Sequence, residues 1–146
     1  AGFNGEGYTV ANIDTGALYT HEALNASYRG KTASGYDHNY NWLDPYNNNQ
    51  APMDGNGHGT HTMGTMVGST PDLANQIGVA PGASWMACRG CDTSSCYDTQ
   101  LLACAEFVTA PTDLGGGNAN PDMRPIAVTT PGVIVAKAMM IGIVMS

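Results

Sequence analysis

Cations are scarce in this chain. Lys and Arg together number 5 against 12 Asp and Glu, a formal net charge of −7. A polyanion would be repelled by that balance, which sets nucleic-acid binding aside. Charge of either sign makes up only 12% of residues, against roughly 25% in an average globular chain. The polar surface must come from neutral groups, and 12 Asn are present. Long hydrophobic runs are also missing. The longest, 133–145, is interrupted by Lys137 and falls short of the ~20 residues of a membrane helix. No membrane span is expected; the stretch reads as a buried element or a non-native tail. Residue 1 is Ala, with no basic segment followed by an apolar one after it. A mature form or a piece of a longer chain is therefore expected.

The chain does have enough apolar residues for a core, at 42%, so wholesale disorder is not expected. Its 19 Gly and 8 Pro exceed the average share of about 12%, which favours a loop-rich fold over a helical bundle. With 146 residues, one domain follows from a prior of one per ~150 residues.

Tyr8 to Ile13 is a β-type run ended by the turn signature Asp14-Thr15-Gly16. His21 to Ser27 fits a short helix. Residues 34–57 are rich in Asn, Asp, Gly, Pro and Tyr, as expected of a long surface loop or a set of turns. Thr60 to Val67 reads as a helix, with Gly64 and Gly68 four apart on one face for close packing against a sheet. A turn over Ile77–Gly82 leads to a strand, Ser84 to Cys88. A second helix covers Tyr97 to Thr109, with Leu101, Cys104, Ala105 and Val108 as its apolar stripe. Ile126 to Thr130 is β-like again. This alternation implies an α/β fold, a parallel sheet with helices on both faces.

Asp14 closes an apolar strand, and the carboxyl ends of parallel strands are where sites form. It equally fits a turn Asp bonding its own backbone. His58 sits between two glycines in Asn56-Gly57-His58-Gly59-Thr60-His61, just before a helix. The helix amides disfavour an imidazolium there, and a neutral His can serve as a general base. Two plainer readings stand beside it. His58 and His61, with nearby Asp54, could hold a metal, although no His-Glu-x-x-His pattern is present. Either His could also be a capping or core residue.

Val10-Ala-Asn-Ile-Asp14-Thr-Gly16 resembles the aspartate segment of the subtilisin-like serine proteases. Gly57-His58-Gly59-Thr60-His61-Thr-Met-Gly64-Thr resembles their histidine segment, and Ile77-Gly-Val-Ala-Pro-Gly82-Ala the turn and strand that follow. Asn41-Trp42, Tyr28-Arg29-Gly30 and the stretch 121–125 are most similar to the bacillopeptidase-like branch. The resemblance spans roughly residues 5 to 125. It implies an incomplete subtilisin-like α/β fold and a serine endopeptidase acting on extended peptide or protein chains. His58 would be the base, and Asp14 would orient it and stabilise the imidazolium. The chain order Asp, then His, then Ser is that of subtilisin. No cofactor is implied for the chemistry, and structural calcium is compatible with acidic loops such as 37–54 but is not locatable.

The third member is missing. The serines are Ser27, Ser34, Ser69, Ser84, Ser94, Ser95 and Ser146, and none lies in a Gly-Thr-Ser-Met-Ala type of segment or in Gly-x-Ser-x-Gly. Ser69 ends the helix that begins near His58, and ~1.5 Å of rise per residue keeps the two apart. After Arg124-Pro125 the family continues toward Asn-Ser-Trp-Gly, whereas this chain reads Ile126-Ala-Val-Thr-Thr-Pro-Gly132. No segment supplies the oxyanion asparagine. The organisation expected is therefore 1–125, the N-terminal part of a peptidase domain, and 126–146, a divergent apolar tail for which a non-native origin is one reading. Domains of this class reach ~200–250 residues, so about half of one is expected here. The chain alone is expected to be inactive. The alternative is a non-catalytic peptide- or protein-binding protein derived from a protease.

Cys88, Cys91, Cys96 and Cys104 lie within 17 residues of one another. A zinc or redox reading competes with disulfides, but the spacing is irregular for a zinc ribbon. Two local disulfides stapling the 89–96 loop are expected, with three connectivities open. The cysteine insert is similar to that of secreted eukaryotic members of the branch. Asn25-Ala26-Ser27 is an N-glycosylation sequon. Together these give an extracellular, secreted protein.

Overall fold

A computed structural model describes residues 2–72 and 74–131, together with the backbone of 143–145. In chain order its elements are β1 (Thr9–Asp14), a 3-10 turn (Asn25–Ser27), β2 (Lys31–Thr32), β3 (Gly35–Tyr36), β4 (Trp42–Leu43) and α1 (His58–Val67). They continue with β5 (Ser84–Arg89), α2 (Asp98–Thr109), a second 3-10 turn (Pro121–Met123), β6 (Ala127–Thr130) and β7 (Ile143–Met145).

β1 lies mid-sheet in the order β4-β5-β1-β6-β7, and every pairing is parallel. The register runs from Thr9 opposite Ser84 to Asp14 opposite Arg89 on one side, and from Val10 opposite Ala127 on the other. β2 and β3 form a separate antiparallel pair. A parallel strand is covered on both faces, so both sides of β1 and β5 are used. Val10, Trp85 and Ala87 pack with Met63 and Val67 of α1. Ala11, Ile13, Met86 and Cys88 pack with Leu101, Phe107 and Val108 of α2. The period of two therefore sends alternate side chains to opposite helices. In the chain α1 joins β4 to β5 and α2 joins β5 to β6. Both steps run the same way across the sheet, yet the two helices lie on opposite faces. The two crossovers are therefore of opposite hand, and only one is of the usual right-handed kind. β1 lies between β5 and β6, and the carboxyl end of such a strand is a site-forming position.

Two tryptophans fill the α1 side, both fully buried. Each has its indole N–H satisfied, Trp42 by the Asn49 carbonyl at 2.8 Å and Trp85 by the Leu24 carbonyl at 2.8 Å. That pairing removes the cost of burying a polar group.

Several sequence expectations need correction. The segment 34–57 is not loop alone: Trp42–Leu43 is an edge strand of the main sheet, paired with Ala87 and Cys88. The helix expected over His21–Ser27 is a set of turns with a 3-10 turn only at Asn25–Ser27. α1 starts at His58 rather than Thr60. Gly64 does not pack against the sheet, since a Cβ there would meet nothing within 4 Å. The glycine that permits close approach is Gly59, where a Cβ would overlap the Gly16 carbonyl. The apolar stretch 133–145, expected as a buried element or a non-native tail, lies outside the described residues apart from the β7 backbone. Among the described residues no helix is long and apolar enough to cross a membrane.

Candidate functional site

Asp14 is the last residue of β1 and His58 the first of α1. Gly57 before it has φ 95°, a left-handed turn that glycine takes without strain. His58 Nδ1 lies 2.8 Å from Asp14 Oδ1. The Asp14 side chain is 2% exposed and the His58 side chain 52%. A carboxylate accepts, so Nδ1 is the donor, and the neutral ring carries its lone pair on Nε2. Such a ring can take a proton from a group placed beside it. Asp14 Oδ1 also accepts the Thr15 N–H at 2.7 Å, and the Thr62 hydroxyl lies 3.4 Å from Oδ2.

The pair opens on a groove of about 230 Å³. Asp14, Thr15, Asn56 and His58 line one side, and the 92–95 loop lines the other. A Cys91–Cys96 disulfide closes that loop. Inside it the Asp92 carboxylate accepts the N–H groups of Ser94 and Ser95, each at 2.7 Å. The amides of Gly90 and Cys91 donate to the Asp14 carbonyl at 2.8 and 3.0 Å. Asn56 Nδ2 donates to the Thr93 carbonyl at 2.9 Å. The loop is thus held to both halves of the Asp14–His58 pair.

The structure brings Asp14 and His58 together. It separates them from the other residues of the metal reading. His61 lies along a second groove with His21, Gly64 and Gly68. Asp54 is surrounded by N–H and O–H donors, from Thr15, Asn56, Gly57 and Thr60. Burial opposes its charge, but hydrogen bonds from Thr60, Gly57 and Thr15 hold its carboxyl below the ordinary range. The shared-metal arrangement of His58, His61 and Asp54 is therefore not formed. Ser94 and Ser95 are the serines that line the His58 groove; the Ser94 hydroxyl lies 3.3 Å from Asp92 Oδ1.

All four cysteines are paired. One pair staples the loop as expected. The other, Cys88–Cys104, does not: it joins the end of β5 to α2. The side chain of the sequon residue Asn25 is engaged, with Nδ2 donating to the Tyr19 carbonyl at 3.0 Å and to the Tyr36 hydroxyl at 2.7 Å. Oδ1 accepts from Lys31 Nζ at 2.7 Å.

Sequence reasoning missed Asn12 and passed over Asp54 except as a metal ligand. Asn12 is fully buried on β1. Its Nδ2 donates to the Gly59 carbonyl at 2.9 Å and to Thr62 Oγ1 at 3.2 Å, so it ties β1 to the first turn of α1. A lone Asn in the apolar run Ala11-Asn12-Ile13 was the available signal. For Asp54 it was an acidic residue just ahead of a helix whose own cap, Gly57, has no side chain to offer.

A parallel α/β sheet with a carboxylate–imidazole pair at its carboxyl edge defines the subtilisin-like class. The chain belongs to the subtilase family, whose model matches residues 5–121. Bacillopeptidase F of Bacillus subtilis (strain 168) is 43% identical over 127 residues, 85% of this chain and 9% of that protein. Alkaline serine exoprotease A of Vibrio alginolyticus is 32% identical over 123 residues, 82% of this chain and 21% of that protein. The crystal structure of a cold adapted subtilisin-like serine proteinase shares the fold, with a TM-score of 0.62 at 21% identity over 99% of this chain and 47% of that one. The chain spans less than half the length of each of these relatives.

Proposed function

We propose that this chain carries the aspartate and histidine of a serine endopeptidase, Asp14 and His58, and that peptide-bond hydrolysis needs a serine nucleophile; no serine among the described residues is in hydrogen-bond contact with His58. One observation carries this reading: the 2.8 Å contact between buried Asp14 and half-exposed His58, at the mouth of an open groove. A serine hydroxyl is a weak nucleophile until a base takes its proton. Nε2 of His58 takes that proton as the serine attacks the carbonyl carbon, and later returns it to the leaving amine. Asp14 keeps the ring in the required tautomer and stabilises the imidazolium between the two transfers. So written, the chemistry draws on no cofactor. An extended peptide lying between the His58 loop and the disulfide loop is the substrate this reading assigns. The two disulfides support folding in an oxidising compartment and so a secreted protein.

The chain by itself is expected to show no turnover. A fluorophosphonate probe, which labels activated serines, tests this. No labelled serine is the expected result. Stoichiometric modification of Ser94 or Ser95, which share the groove with His58, would overturn it.

A second reading is a binding protein without catalysis, favoured by the formed groove wall held through Asn56 and Thr93. Titrating unlabelled peptides into isotope-labelled chain separates the two readings. Saturable shifts in the 91–96 loop without cleavage support binding; their absence rules it out.

A further inference from the structure

We propose that Asp54 is a positioning residue for the Asp14–His58 pair and that it acts through the Thr15 hydroxyl; the proposal rests on reading that pair as the acid–base dyad. Asp54 receives donors from both chain segments that carry the pair. From the His58 segment come the Gly57 N–H at 2.8 Å on Oδ1, and the Thr60 N–H at 2.8 Å and hydroxyl at 2.6 Å on Oδ2. From the Asp14 segment comes the Thr15 hydroxyl, 2.8 Å from Oδ1. The same Thr15 oxygen accepts the Gly59 N–H at 3.0 Å. The hydroxyl therefore bridges the residue after His58 to Asp54.

Helix capping alone does not account for this pattern. A cap needs only the orphan amides of the first turn, and the Gly57 and Thr60 bonds already serve that purpose. The Thr15 bond leaves the helix and reaches the residue that follows β1. Thr15 is also the residue whose amide donates to Asp14 Oδ1 at 2.7 Å, on the oxygen that holds His58 Nδ1. Fixing the Thr15 backbone thus fixes the plane of the Asp14 carboxylate. A hydrogen bond this directional loses strength steeply with misalignment. A second contact sets the same spacing, since Gly16 and Asp54 are joined as a β-bridge.

The test uses the intact chain with both disulfides formed, and follows the His58 ring by nuclear magnetic resonance. Thr15→Val keeps shape and charge but removes the hydroxyl, Thr15→Ser restores it, and Asp54→Asn removes the charge. The titratable groups around His58 are Asp14, Asp54 and Asp92. Thr15→Val alters none of them, so any shift it causes is not a change in long-range field. Thr15→Val and Asp54→Asn are each expected to speed exchange of the His58 Nδ1 proton by about tenfold and to move its resonance upfield as the bond to Asp14 loosens, and Thr15→Ser should recover both values. The proposal is overturned if Thr15→Val leaves resonance and exchange at the parent values, whether or not the melting temperature falls. If Asp54→Asn fails to fold, the Thr15 pair decides alone. The measurement involves no hydrolysis, so it can fail without touching the probe experiment, and the reverse also holds.

Discussion

At the residue scale, single atoms decide whether the pair can form. A Cβ on Gly59 would overlap the Gly16 carbonyl, and one on Gly16 would overlap the Met53 carbonyl. Gly59→Ala is expected to push α1 away from β1 and cost about 3 kcal/mol, read as a lower urea midpoint. Asn12 acts in the opposite sense, by attraction. Asn12→Val deletes both amide donors beneath α1 and is expected to cost about 1–3 kcal/mol. An unchanged urea midpoint would show that the amide contributes nothing. Asn25 follows the same logic. A glycan on Nδ2 replaces one of its two hydrogens, so the bond to Tyr19 or to Tyr36 is lost. Asp14 and His58 were legible because turn glycines mark them in the sequence. Asn12 was not. Alternation normally sends a polar residue to water, but β1 is covered on both faces and has no such side.

At the scale of elements, the two disulfides do different work. Cys88–Cys104 joins strand to helix across a separation of 16 residues, and both cysteines are fully buried. Cys91–Cys96 closes a separation of 5, and Cys96 is exposed. Loop-closure entropy assigns about 3 kcal/mol to the longer bridge and about 2 kcal/mol to the shorter. A mild dithiol should open Cys91–Cys96 first, and mass mapping after alkylation should find Cys91 and Cys96 modified while Cys88 and Cys104 remain protected. Modification of all four together would sink this ordering. The long elements were legible because β1 and β5 are continuous buried runs and α2 carries an apolar stripe. β4 was not: two residues, Trp42 and Leu43, are too few to show a period. Their strand geometry is imposed by the neighbouring β5. The first turn of α1 was hidden too, because its capping carboxylate, Asp54, lies outside the helix itself.

Three partly buried groups couple the stability of the whole molecule to acid. Burial opposes ionisation of Asp44, but the amides of Asn47 and Tyr46, with Asn49 and Arg89, hold its carboxyl below the ordinary range. Asp54 is lowered as well. Burial also lowers His38, whose Nδ1 lies 2.9 Å from the Tyr28 hydroxyl. In all three the folded chain binds its proton less readily than the unfolded chain. Each contribution is present above the unfolded value and is lost as pH falls through the folded one. Melting temperature should therefore fall in two limbs, a shallow one below about pH 6.5 and a steeper one below about pH 3.9. Asp44→Asn should flatten the second limb. A single limb in the parent chain would contradict the assignment.

Strand order also sets the sequence of events by which the groove can arise. β5 lies between β4 and β1 although it follows both in the chain, and its pairing with β1 joins Thr9 to Ser84. Contacts so distant in sequence make for slow folding. Until β5 enters, the Gly90 and Cys91 amides have not reached the Asp14 carbonyl, and the disulfide loop has no anchor beside His58. In a refolding time course sampled by hydrogen exchange, protection at Gly90 and Cys91 should rise with that of β5 and not before it. The strand that inserts between β4 and β1 would then be the one that completes the groove.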